Sequence, residues 1–142
     1  MDFKYKFEIA TKELIEKNID ALMAIDKHYF DNEGWKRDAF LSELPKKFDY
    51  SLLLMDNDTL VGYSIISGRD YGFHWHKLVL NKDYMNQGLG KKFFQKLMTM
   101  VDGEMISLKV HFTNVSTVIY HLKNGAQFKE RQGIYYIMQY NG

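Results

Sequence analysis

Cysteine is absent from the 142 residues, which removes disulfides, thiolate metal sites and a cysteine nucleophile together. Proline occurs once, at Pro45, so there is no material for a proline-rich linker or a low-complexity tract. No apolar run approaches the ~20 residues that a helix needs to cross a bilayer. The opening stretch, MDFKYKFEIATKEL, carries charges where a secretion signal needs an apolar segment, so a cytoplasmic location is expected. A dominant charge is missing too: Lys and Arg number 19 and Asp and Glu 18, a net +1, with the cations scattered along the chain. A chain so balanced has no global field to draw in nucleic acid or an anionic membrane, and neither is expected as a partner. Any basic site must be local.

What is present is apolar and aromatic. At 46% hydrophobic and 15% aromatic, a chain of this length can bury one sizeable core, so residues 1–142 are expected to form a single domain. YKFEIAT alternates like a strand, and KELIEKNIDALMAIDKHYF after it spaces Leu14, Ile15, Ile19, Leu22, Met23 and Ile25 as one helix does. WKRDAFLSEL predicts a second helix that stops at Pro45. DYSLLLMD and LVGYSIIS flank the short polar connection Asn57-Asp58-Thr59 and predict a hairpin, with HWHKLVL as the next strand. Then follow the helix KKFFQKLMTMV, the strand MISLKVHF, the helix STVIYHLKNG and a closing hairpin, AQFKERQ and IYYIMQY, around Gly133. The order β, α, α, β, β, β, α, β, α, β, β implies a mixed α/β fold of three layers. Its centre is a mixed sheet of about seven strands with flanking helices, in which a crossover helix joins two central parallel strands.

The segment DYMNQGLGKKFF, residues 83 to 94, is the most informative. Gly88 and Gly90 can fold the chain so that successive N–H groups face one concavity, which is how a backbone nest holds an anion. The helix starting there adds unpaired N–H groups and the positive end of its dipole. Lys91 and Lys92 sharpen this reading, because cations are disfavoured in a first helical turn unless an anion sits beside them. Neither a Walker loop nor a dinucleotide fingerprint fits, since Lys92 replaces the Ser or Thr of the first and Phe93 the third glycine of the second.

With this loop in its setting, the chain resembles the GNAT superfamily of N-acetyltransferases. The resemblance covers nearly the whole chain in element order and is most specific from Leu78 to Gly90, where Met85-Asn86-Gln87-Gly88-Leu89-Gly90 matches Arg/Gln-x-x-Gly-x-Gly/Ala except at Met85. Asn114, Thr117 and Gly125 follow the family's second motif, Asn-x-x-Ala then Tyr-x-x-x-Gly. The resemblance implies acetyl-coenzyme A as donor co-substrate, with no metal. It implies that the main chain of Leu78, Val79 and Leu80 lines the pantetheine arm and that Met85, Asn86, Gln87, Gly88, Leu89, Gly90 and Lys91 receive the diphosphate. Asn114 would contact the arm, and it also reads as a cap for the helix that follows.

Acyl transfer to an amine needs a neutral amine, a polarised thioester carbonyl and a proton for the departing sulfur. The family commonly supplies that proton from a tyrosine four residues before the last glycine; here that position is His121, and Tyr120 precedes it by about 100° of helix. Both stand as candidates. For the base, His76 and His111 are candidates, while Lys109 occupies the place where relatives that acetylate protein N-termini often carry a glutamate. Tyr29, Phe30, Trp35, Tyr135 and Tyr136 are candidate walls of an acceptor pocket, and also ordinary core aromatics. The expected activity is transfer of acetyl to the primary amine of a small molecule or amino-sugar, without a covalent enzyme intermediate. The alternatives are a coenzyme A-binding regulatory module without catalysis, a protein amine as acceptor, and a small interaction domain; a homodimer stays open.

Overall fold

The computed structural model describes residues 4–141. Seven strands form one open mixed sheet in the order β1-β2-β3-β4-β5-β7-β6. They are β1 (Lys6–Ile9), β2 (Leu52–Asp56), β3 (Thr59–Arg69), β4 (Gly72–Leu80), β5 (Met105–His111), β6 (Gln127–Gln132) and β7 (Tyr135–Tyr140). Six α-helices flank it: α1 (Lys12–Lys17), α2 (Ile19–Phe30), α3 (Arg37–Leu41), α4 (Lys47–Tyr50), α5 (Leu89–Val101) and α6 (Val115–Lys123). All neighbouring strands are antiparallel except β4 and β5, which are parallel and joined through α5.

The strands follow the sequence pattern; the helices depart from it three times. The single helix expected after β1 breaks at Asn18. Thr11 caps α1 by accepting the Leu14 N–H at 3.1 Å. The Asn18 amide then donates to both Leu14 and Ile15 carbonyls, and its side chain donates to Leu14 O at 3.0 Å, so the chain turns and restarts as α2. The helix expected over residues 35–44 shrinks to Arg37–Leu41 because fully buried Lys47 donates to the carbonyls of Ala39, Phe40 and Ser42 at 3.0, 2.8 and 2.7 Å. Those bonds satisfy the end of α3 from outside and make a longer helix unnecessary. They depend on α4, which the apolar spacing did not indicate and which follows Lys46 at φ 62. Burial pushes the Lys47 pKa down to about 8.

Two helical layers cover the two faces. On one, Ile15, Ile19, Leu22 and Phe40 from α1–α3 pack on Leu53, Tyr63, Ile65 and Val79 of the sheet. On the other, α5 presents Leu89, Phe93, Leu97 and Val101 at four-residue spacing. Full burial of such side chains contributes about 1.5–3 kcal/mol each. Two features of β4 then set up the site. Gly72 is required where β4 meets β5, since a Cβ there would collide with the main-chain oxygen of Met105. A bulge also skips His76: Ile65 pairs with Lys77 and Ile66 with Trp75. As a result His76 and Lys77, neighbours in sequence, both approach Trp35, with His76 6.0 Å between rings and the Lys77 ammonium 4.9 Å from the ring centre.

Candidate active site

β4 and β5 pair at only three positions, ending at His74 and Ser107. Beyond them β4 continues to Leu80 and β5 to His111, and the two strands diverge. A cleft of about 1470 Å³ opens at this split, walled by β4 from His74 to Leu78, by β5 from Ser107 to His111, and by Ser116, Thr117, Tyr120 and His121 of α6. Beyond His74 the β5-facing edge of β4 loses its strand partner while β3 still pairs with β4 as far as Leu80, leaving donors and acceptors on one edge for an extended ligand that carries amides. Of the three residues expected along such an arm, Leu78 lines the cleft. The side chains of Val79 and Leu80 pack into the core, so only their main chain can serve.

The far end of β4 leads into the glycine loop. Gly88 adopts φ 74 and forms the N-cap of α5, where no side chain caps the helix and no acid occupies the first turn. Its partner in left-handed geometry is Asn86, at φ 64; Gly90 lies inside α5 without a positive φ, which corrects the expectation that both glycines bend the chain. The Gly90 contribution is space, because a Cβ built on either glycine meets nothing within 4 Å. Around the nest, the Gln87 Oε1 accepts from Tyr5 OH at 2.8 Å, Met85 S accepts from Tyr29 OH at 3.4 Å, Leu89 is buried and Lys91 is exposed. Open main-chain N–H groups, a helix N-terminus, a following lysine and space beside two glycines fit the diphosphate of a coenzyme A.

On α6, Asn114 is the N-cap, its side-chain oxygen accepting from Thr117 N and Ser116 Oγ, each at 3.4 Å. The capping half of the expectation is thus in place, and Asn114 also lines the cleft. Tyr120 and His121 both line the cleft and differ in setting. His121 is buried between Trp75 and Tyr140, with Nδ1 2.6 Å from the Tyr140 hydroxyl, and burial pushes its pKa down to about 4. The imidazole is therefore neutral at pH 7 and has no proton to give as an imidazolium. Tyr120 is half-buried, and desolvation raises its pKa.

The opposite end of the cleft is polar. His74 Nδ1 lies 2.8 Å from Ser107 Oγ, which also meets the Tyr71 hydroxyl at 2.6 Å, and His76 Nε2 lies 2.7 Å from Ser67 Oγ. These are not activated serines, since no carboxylate orients either ring and both imidazoles are poor bases. Burial, then Arg69 and Lys109, lower the His74 pKa to about 4; burial, then His74, Arg69, Lys47 and Lys77, lower that of His76 to about 3. His111 also lines the cleft, and its Nδ1 accepts the Thr113 N–H at 3.2 Å. That bond uses the lone pair a neutral imidazole would need as a base.

Among the aromatic candidates, Phe30, Trp35 and Tyr135 line the cleft. Tyr29 is tied to Met85, and Tyr136 packs edge-on against Phe128. Sequence reasoning missed the group that fixes this end, Asp26. Its fully buried carboxylate accepts from Tyr63 OH at 2.5 Å, from Trp35 N at 2.6 Å and from Lys77 Nζ at 2.8 Å. The Lys77 ammonium also lies 4.0 Å from the centre of the Phe30 ring. A signal existed: Ile15, Ile19, Leu22 and Asp26 follow one helical stripe, and an acid on an apolar stripe needs partners. Among the described residues no group of three His, Asp or Glu is arranged to hold a metal ion, and no helix is long and apolar enough to cross a membrane.

A parallel strand pair that splits beside an open helix N-terminus suits a ligand that has an amide-bearing arm and a diphosphate, as an acyl-coenzyme A has. The sequence profile of the acetyltransferase (GNAT) family matches residues 17–126, and the chain belongs to that family. Solved structures agree on the fold. The ribosomal-protein-S18-alanine N-acetyltransferase of Escherichia coli is 15% identical with a TM-score of 0.81, over 96% of this chain and 93% of that one. The paia N-acetyltransferase of Thermoplasma acidophilum, in complex with coenzyme A, is 14% identical with a TM-score of 0.73, over 99% and 100%. Naa50 of Arabidopsis thaliana, in complex with the bisubstrate analogue CoA-Ac-MVNAL, is 14% identical with a TM-score of 0.75, over 99% and 100%. No curated protein matches the chain.

Proposed function

We propose that this protein transfers the acetyl group of acetyl-coenzyme A to the primary amine of a small molecule or amino-sugar, directly and without an acyl-enzyme. The observation that carries the reading is the split of β4 from β5 after His74, opening onto α6 at one end and leading to the Gly88 nest at the other. The nest holds the diphosphate, Asn114 and the freed main chain of Leu78 to Leu80 hold the arm, and a β4 N–H at the split polarises the carbonyl. Bound acetyl-coenzyme A supplies a thioester, whose carbonyl carbon forms the new C–N bond while its C–S bond breaks. Tyr120 gives its proton to the departing sulfur. His121 holds the helix in place through Tyr140, because its neutral ring is already engaged there. No side chain in the cleft is set up as a strong base, so the amine reacts in its neutral form and sheds its second proton to water in the open cleft.

Two measurements test this scheme. Tyr120→Phe should lower kcat about 100-fold, the low end for a general acid serving a good leaving group. An unchanged kcat removes Tyr120 from the chemistry, and an unchanged kcat in His121→Ala as well removes α6 from it. Second, His74, His76 and His121 have pKa values of about 4, 3 and 4, so none of them titrates between pH 6 and 9. Since only the deprotonated amine attacks, kcat/KM should rise with pH along a limb that moves with the pKa of each amine used. A limb fixed across amines assigns a base on the protein. Binding of acetyl-coenzyme A with no thiol release from any amine favours the regulatory module instead.

A further inference from the structure

The polar end of the cleft is unusual in its charge. Arg69, Lys77, Lys109 and Lys129 line the cleft together with only two acids, Glu33 and Glu130. Lys77 is neutralised by Asp26. The ion pairs formed among the described residues are Lys6 with Glu8, Lys12 with Glu43, Arg37 with Glu16 and Lys77 with Asp26, and none includes Arg69, Lys109 or Lys129. Arg69 instead donates to the Ser67 hydroxyl at 3.0 Å and to its neighbour Gly68 O at 3.4 Å, while the Lys109 ammonium lies 5.9 Å from the centre of the Tyr135 ring. The two cations flank one spot. Arg69 pairs with Gly72 at the start of β4, and Lys109 stands one pleat beyond Ser107, which pairs with His74. The electrostatic depression of His74 by both groups is a second sign of that convergence.

These cations do not belong to the diphosphate site. β4 runs from Gly72 to Leu80 before the chain reaches the glycine loop, and eight residue steps at about 3.3 Å each put roughly 26 Å between Arg69 and that end of the strand. They face the acceptor end, alongside the hydroxyls of Tyr71 and Ser107 and the neutral rings of His74 and His76. Hydroxyls and neutral imidazoles can donate to an anion without repelling it. A cationic acceptor such as a polyamine would meet uncompensated positive charge here.

We infer that the acceptor is a primary amine that also carries an anionic group, a carboxylate or a phosphate, held between Arg69 and Lys109 while its amino group reaches toward the split of β4 and β5. This rests on the acetyltransferase reading and narrows it to one substrate class. The arrangement selects by charge at one end of the acceptor and reacts at the other.

The experiment follows thiol release from acetyl-coenzyme A with matched acceptors. For a carboxylate, the pairs are L-alanine against L-alaninamide and 4-aminobutyrate against its amide; for a phosphate, phosphoethanolamine against ethanolamine. Wild type should favour the anionic member of at least one pair in kcat/KM by about tenfold or more, the scale of a charge-assisted hydrogen bond. The pair that shows it identifies the anion. Lys109→Gln, at an exposed position, and Arg69→Gln should collapse that preference chiefly through KM, whereas Lys17→Gln, exposed on α1 and outside the cleft lining, should leave it intact. Turnover of neutral or cationic amines with no anionic preference, or a preference that survives both substitutions, overturns the inference and leaves the acetyltransferase reading standing. Absence of acetyl-coenzyme A binding by calorimetry overturns both.

Discussion

The two helical layers hold their faces of the sheet by different means. The α1–α4 side contains both charged side chains that are fully buried among the described residues, Asp26 and Lys47, each engaged by three groups or more. Among the described residues the α5–α6 side contains no buried charge; its polar groups include His121 paired with Tyr140 and Ser64 accepting from the Trp75 ring N–H at 3.0 Å. Buried charges cost solvation and tolerate few geometries, so they fix positions more than they add stability. On the proposed reading, the layer with the charges carries the acceptor end of the cleft, where shape and charge must suit one substrate. On the same reading, the layer without them carries the donor end, where main-chain groups and a helix terminus suffice for a ligand common to the family.

The largest expected effect breaks the charged side. Asp26→Ala leaves Lys77 buried without a counter-charge and deprives Tyr63 and Trp35 of their acceptor, which should cost about 3–5 kcal/mol in urea unfolding. A sharper form pairs Asp26→Leu with Lys77→Met. If ionic compensation is the cause, the double variant is more stable than Asp26→Ala, and equal loss in both would show that the Tyr63 and Trp35 bonds matter more. Next in size, Lys47→Met removes the donor from three carbonyls at the end of α3. A loss of about 1–3 kcal/mol is expected, the cost of buried acceptors left unpaired. A loss no larger than that of an exposed Lys17→Met control would show that water replaces the ammonium.

The same contrast explains what could be read in advance. The seven strands and the α5 crossover follow from local alternation and from turns with residues such as Asn57 and Gly133, both at positive φ. The Gly88 turn at the head of α5 was legible because a short motif on one piece of chain marks it. Asp26 and Lys77 are 51 residues apart, and their pairing depends on the skip at His76, which no periodicity announces. Likewise the end of α3 depends on a lysine that a later short helix delivers. Tyr140 stands 19 residues from His121, and its hydroxyl decides whether that histidine is free to act. Contacts of long sequence separation, made by polar atoms, are what the acceptor end is built from and what local reading does not reach.

The smallest effect tests the donor side, where the two glycines should part company. Gly88 sits at φ 74, so an alanine there is strained by about 1 kcal/mol whether or not ligand is present. Gly90 is helical, and alanine should stabilise α5 by about 0.5 kcal/mol, since its Cβ meets no protein atom within 4 Å. If that space exists for a diphosphate, Gly90→Ala should melt slightly higher than wild type without ligand and bind acetyl-coenzyme A more weakly in calorimetry. The opposite signs matter, because a fold defect cannot raise stability and lower affinity together. Unaltered affinity in Gly90→Ala would mean that no ligand atom approaches this turn, and the anion would have to be sought away from the nest.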